Sequence, residues 1–191
     1  MAVKIWSKRF LAGTFAVLFI GYGFGQNAGQ NKDEKALVKN FEDRIARYLE
    51  LRKSEGISPK PSSSADKLAA EHHEAAQKIR QSRPAAKQGD FFTAPAGDYF
   101  KKQIAATLQG PDGARVRASL RRAEPLPNVE LKVNEKYPPQ FPLQSTPPSL
   151  LLNLPHLPGE LQYRIVGRTL VLYDVGSKLI VDFLPEAFPA S

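Results

Sequence analysis

The sequence predicts an α+β protein: an N-terminal helical hairpin with further short helices, a proline-rich crossing segment, and a C-terminal three-stranded antiparallel β-meander. Three observations predict it. Apolar residues recur at helical spacing between residues 33 and 83. Nine of the sixteen prolines fall between Pro125 and Pro158. The stretch LQYRIVGRTLVLYDVGSKLIVDFLP, residues 161–185, is strand-like on both sides of two glycine-led turns. A chain of 191 residues has room for one ordinary domain, which sets residues 26–191 together.

Residues 1–25 are of another kind. Lys4, Lys8 and Arg9 form a basic start, and the uncharged run Phe10–Gly25 follows. Gly23 and Gly25 place small residues at minus three and minus one of a cut before Gln26. This is the pattern of a secretory signal peptide. The run has 16 residues and four glycines, short of the roughly 20 that a comfortable membrane span requires. The expectation is an exported protein, periplasmic or secreted, that meets the membrane only through this segment if it is uncleaved. Removing residues 1–25 takes three positive charges from a net charge of +8 and leaves +5. With no cysteine, the exported chain depends on packing, a partner or a ligand in place of disulfides. Export also argues against a nucleic-acid partner.

The region 26–124 reads as helical. From Asp33 to Glu55, Leu37, Phe41, Ile45, Tyr48 and Leu49 share one face. Glu42 and Asp43 are answered on the other face by Arg47 and Lys39. GISPKPSSS breaks this helix, and Ser64 or Asp66 caps a second one that runs to about Arg83, with Leu68, His72, Ala75, Ala76 and Ile79 inside. Pro84 ends it. Phe91 and Phe92 are adjacent aromatics outside any helix, suited to plugging a core. A short helix from about Asp98 to Gln109 aligns Phe100, Ile104 and Leu108. After the turn Gly110–Gly113, a fourth helix from Asp112 to about Ala123 turns Val116 and Leu120 inward.

The segment 125–158 is too rich in proline for a long helix or a central strand. VELKV, residues 129–133, suits a short edge strand, and YPPQFPLQSTPP suits extended chain lying across the domain. In the meander, residues 159–185, Gly167-Arg168 and Gly176-Ser177 both suit two-residue turns with glycine first. Counting outward pairs Ile165 with Leu170, Tyr163 with Leu172, and Leu161 with Asp174. Across the second turn it pairs Asp174 with Leu179, Leu172 with Val181, and Leu170 with Phe183. That face is apolar but for Asp174 and belongs against the helices. Arg164 and Asp182 fall on the opposite, mixed face, as a surface ion pair across Val171. Asp174 suits capping of the second turn through its carboxylate.

Chemistry-bearing motifs are few. EHHE, residues 71–74, places two adjacent histidines about 100° apart on a helix, a poor metal geometry. His156 is the other histidine. No nucleophile elbow, phosphate loop or dinucleotide fingerprint is present. The balance is against an enzyme, and no cofactor is expected. Arg115, Arg117, Arg121 and Arg122 on the fourth helix are the candidate ligand contacts, because arginine forks suit phosphates and anionic polymers.

From about Phe41 onward the chain resembles a family of small exported bacterial proteins of unknown function. The residues that carry this are GDFFT (89–93), VNEKYP (133–138), and LPHLPGELQYRIVGRTLVLYD (154–174) followed by LIVDF (179–183). More narrowly, the meander is similar to the tail of periplasmic nickel/cobalt-homeostasis-type proteins. The functional expectation is a non-catalytic binding or assembly module of the cell envelope, with an envelope protein or anionic envelope polymer as partner. Three alternatives stand beside it: an anion binder through the arginine helix, a periplasmic metal-homeostasis protein, and a carboxylate-based hydrolase using Asp174.

Overall fold

The computed structural model describes residues 26–58, 62–121, 130–137 and 146–189, with backbone alone at 26–31 and 121. The signal-peptide expectation for residues 1–25 therefore lies outside the described residues, as do Arg122 and much of the proline-rich segment. The described chain is α+β, with five helices and one three-stranded antiparallel sheet of order β1-β2-β3.

Helix α1 spans Gln26–Ser54 and buries Phe41, Ile45 and Tyr48 at steps of four and three. Its end is fixed by Gly56, whose φ of 65° is a left-handed conformation that suits glycine. The N–H of Ile57 donates to the Arg52 carbonyl at 2.9 Å, and that of Gly56 to Lys53 at 3.0 Å, closing a Schellman turn. Helix α2, Ala65–Ser82, is capped by Ser64 as the sequence predicts, and buries Ala75, Ala76 and Ile79. At the backbone level α1 draws nearer to α3 than to α2, so the predicted hairpin partners meet mainly through shared core side chains.

Helix α3, Ala94–Gln109, begins four residues before the predicted Asp98, because Pro95 fits a first turn that needs no N–H. Phe91 and Phe92 plug the core, and Phe41, Phe92 and Phe100 form an aromatic cluster with centroids 5.0–5.8 Å apart. Helix α4, Gly113–Arg121, starts against the end of α3. A Cβ on Gly113 would lie 1.9 Å from the Leu108 carbonyl oxygen, so glycine permits this approach. A short α5, Pro148–Leu151, adds Leu150 to the core.

Strands β1 (Leu161–Val166) and β2 (Thr169–Asp174) pair in the predicted register, Leu161 with Asp174 through Ile165 with Leu170. Gly167 supplies the positive φ of the connecting turn, 57°. Strand β3, Ile180–Leu184, departs from expectation. Near the turn the count holds: the Asp174 N–H donates to Leu179 and Tyr173 faces Ile180. Beyond it a β-bulge sets Leu172 opposite Asp182 and Leu170 opposite Leu184, leaving Val181 as the extra residue. Phe183 moves to the far face and Asp182 to the helix side, the reverse of the two-glycine prediction. The second turn is also not the expected one, since its left-handed residue is Lys178 (φ 59°) and not Gly176.

Both faces of the sheet are covered. The helices cover one. On the other, Val171, Tyr173 and Ile180 are buried with Tyr137, and Leu131 and Phe183 pack beside them, so this face is not the wet face the alternation suggests. The residues bringing Tyr137 there also close the outer edge of β3: Asn134 N–H donates to Ile180, Ile180 N–H to Glu135, and Tyr137 N–H to Lys178. The edge pairing expected at residues 129–133 falls instead at Lys136, opposite Leu179, and not within the described residues 130–133. Chain bonded along an edge strand occupies its exposed hydrogen-bonding groups.

Candidate functional site

The two aspartates of the meander are consumed by the fold. Asp174 is fully buried. Its Oδ1 accepts from the N–H groups of Gly176 (2.8 Å) and Ser177 (2.9 Å), which is the turn capping the sequence predicts. Its Oδ2 accepts from Tyr48 Oη (2.6 Å) and from Arg52. Sequence reasoning missed Arg52, although it lies four residues after Tyr48 and continues the buried face of α1. Burial pulls the Arg52 pKa down, and the hydrogen bond and charge of Asp174 more than reverse it. Burial, reinforced by Asp174, raises the Tyr48 phenol well above its ordinary value. Gly176 is needed for this packing and not for turn dihedrals: a Cβ there would lie 2.9 Å from Arg52 Nη2.

Asp182 is fully buried, and the predicted surface pair with Arg164 does not form. The bulge aims its carboxylate at the GDFF turn, where it accepts from the N–H groups of Gly89 (2.9 Å), Phe91 (2.7 Å) and Phe92 (2.8 Å), and from its neighbour Phe183. Burial raises its pKa against the lowering pull of those four donors. Arg164 bonds Gln162 and sits 5.9 Å from the Tyr173 ring centroid. Two carboxylates so enclosed anchor loops, and they offer nothing for attack on a substrate.

The predicted arginine helix is not gathered into a site by its described members. Arg115 pairs with Asp112 on an exposed surface. Arg117 donates to the Leu108 carbonyl, satisfying the open end of α3. Arg121 closes α4 with its side chain outside the described residues, as is Arg122. The EHHE stretch divides: His72 Nδ1 contacts the Gly176 carbonyl at 2.6 Å, while His73 faces solvent. Among the described residues, no group of three or more His, Cys, Asp or Glu side chains could hold a metal ion. His156 is exposed beside a separate groove along β1, with Thr146, Leu151 and Leu157. No described helix is long and apolar enough to cross a membrane.

A different set of arginines does converge. Arg44 and Arg47, on one side of α1, meet Arg83, the C-cap of α2, around a depression of roughly 210 Å³. Tyr48, Leu51 and Phe91 complete the floor, and Asp90 stands at the rim. The Arg83 guanidinium is 5.3 Å from the centroids of both Tyr48 and Phe91, within cation–π range. Sequence reasoning assigned Arg47 to a helix-surface pair with the acids near it. Lys39 does pair with Asp43, but Arg47 makes no hydrogen bond or ion pair among the described residues.

No protein-family model, no curated protein and no solved structure matches the chain.

Proposed function

We propose that the chain is an exported, non-catalytic binding module of the cell envelope, and that it engages an anionic partner through the Arg44–Arg47–Arg83 pocket. One observation carries the reading. Three guanidinium groups surround a single depression with one carboxylate beside them, and one of the three has no partner among the described residues. Arginine gathered without matching acids, over an aromatic floor, suits recognition of an anion. Export is supported by the basic-then-apolar start of the sequence, and a non-catalytic role by the commitment of Asp174 and Asp182 to loop anchoring.

The test is in-cell crosslinking of the tagged full chain, followed by recovery from the envelope fraction. The wild type and an Arg44→Gln/Arg47→Gln variant are compared. An envelope polymer or protein recovered with the wild type and lost with the variant supports the reading. Equal recovery with both removes the pocket from it, and retention of intact chain in the cytoplasm removes export.

A further inference from the structure

We propose that the Arg44–Arg47–Arg83 pocket is a site for a phosphoryl group. The proposal rests on the binding reading above and narrows it to one ligand chemistry.

The three arginines differ in how they are held. Arg44 is aimed by two bonds, its Nε to Asn40 (2.9 Å) and its Nη1 to the Asp90 carbonyl (2.7 Å), which leaves Nη2 without a described partner. Arg83 lies against two rings, and its contacts to Asp90 Oδ2 and Asn134 Oδ1 are both long, at 3.5 Å. Asp90 is ion-paired with Arg83 at that distance, and the same Oδ2 also accepts from the Lys87 N–H at 3.0 Å. Arg47 has no partner among the described residues. The lining thus carries three cations against one anion.

Donors come from two helices. Arg44 and Arg47 are neighbours at i and i+3 on α1, and Arg83 arrives from the end of another helix. A carboxylate is planar, and its two oxygens take one guanidinium fork edge-on. A phosphoryl group has three or more acceptor oxygens and accepts several forks at once. The floor contributes by exclusion. Tyr48 spends its hydroxyl on Asp174, so its ring is what remains for the pocket, and with Leu51 and Phe91 it lowers the local dielectric. Sequence spacing hides the set because Arg83 is distant in the chain and Arg47 resembles ordinary helix-surface charge.

Calorimetric titration of the full chain with inorganic phosphate tests the assignment, with glucuronate as the carboxylate comparison. Phosphate is expected to bind saturably. Arg47→Gln, a change at an exposed position, is expected to weaken it about tenfold or more, the loss typical of one charge-assisted hydrogen bond. Arg83→Lys keeps the charge but loses the fork, and is expected to cause a similar loss with unchanged circular dichroism. Lys102→Gln, at an exposed pair with Glu34, leaves affinity unchanged. Phosphate affinity equal in the wild type and Arg47→Gln overturns the proposal. Arg47-dependent binding of glucuronate without phosphate overturns the phosphoryl assignment while the binding reading stands. Loss of Arg47 dependence for both ligands ends both. Vesicles of phosphatidylglycerol distinguish the source: Arg47-dependent adsorption marks a lipid headgroup, and phosphate binding without adsorption marks a soluble phosphoryl compound.

Discussion

Arg52, in the last turns of α1, is ion-paired with Asp174 at the end of β2, and the two side chains are 3% and 0% exposed. The pair joins positions 122 residues apart and draws in the Tyr48 hydroxyl and two turn N–H groups. Burying two charges costs several kcal/mol of desolvation, which only good geometry and full hydrogen bonding offset. Asp174 has four donors. Arg52 Nη2 has no described partner.

Removing one charge of this pair is expected to cost more than removing both. Arg52→Met leaves a buried carboxylate without its cation and should destabilise by about 3–5 kcal/mol. Arg52→Met/Asp174→Asn removes both charges and keeps an oxygen for the turn N–H groups, so part of that loss should return. Urea denaturation of both variants checks this. A double variant no more stable than Arg52→Met would show that the charge imbalance is not what matters.

Tyr48→Phe should cost about 1–3 kcal/mol at neutral pH through the lost bond to a charged acceptor. It should also change the alkaline limb. The folded-state pKa of Tyr48 is raised by burial and then by Asp174, so the folded chain holds the phenolic proton more tightly than the unfolded chain. That advantage is complete below the unfolded value of about 10 and falls as pH rises beyond it. Stability measured from pH 9 to about 11 should therefore decline less steeply in Tyr48→Phe than in the wild type. Parallel slopes would contradict this.

Asp182→Asn distinguishes the observed burial from a surface role. On a wet face the change would stay within about 0.5 kcal/mol. In the GDFF turn an amide group would face backbone N–H donors in place of a carboxylate oxygen, at a cost of about 2–4 kcal/mol. Hydrogen exchange at Gly89, Phe91 and Phe92 should quicken in the variant. Unchanged protection there would show that the carboxylate does not hold the turn.

Gly113→Ala tests the junction of α3 and α4. The obstructing atom is a backbone carbonyl oxygen, which cannot rotate aside as a side chain can. Thermal unfolding should register a loss of about 2–3 kcal/mol. A variant as stable as the wild type would mean that the helices separate at no cost.

Much of the fold was legible because its cues are local. Gly167 fixed the first hairpin and with it every pair from Leu161–Asp174 to Ile165–Leu170. Ser64 and Gly56 marked helix ends, and Phe91-Phe92 announced a plug by being apolar where no helix runs. The bulge at Val181 was not legible, since no glycine or proline accompanies it. What selects it is tertiary: with the extra residue, Asp182 reaches three N–H groups about ninety positions earlier, and Leu184 replaces Phe183 in the core. The candidate site was hidden for a related reason. Arginine on a helix looks like solvated charge whether or not an acid answers it, and Arg52 and Arg47, five residues apart, take opposite roles that only the partner elements decide.

The Arg52–Asp174 contact also orders events in time. A ribosome finishes Arg52 well before it reaches Asp174, 122 residues later. During that interval α1 carries a cation whose counterpart has not been made, and the GDFF turn lacks the carboxylate that will hold its N–H groups. Both contacts therefore wait on the C-terminal strands. A chain stalled or truncated before β2 lacks the sheet residues that complete the helices' core.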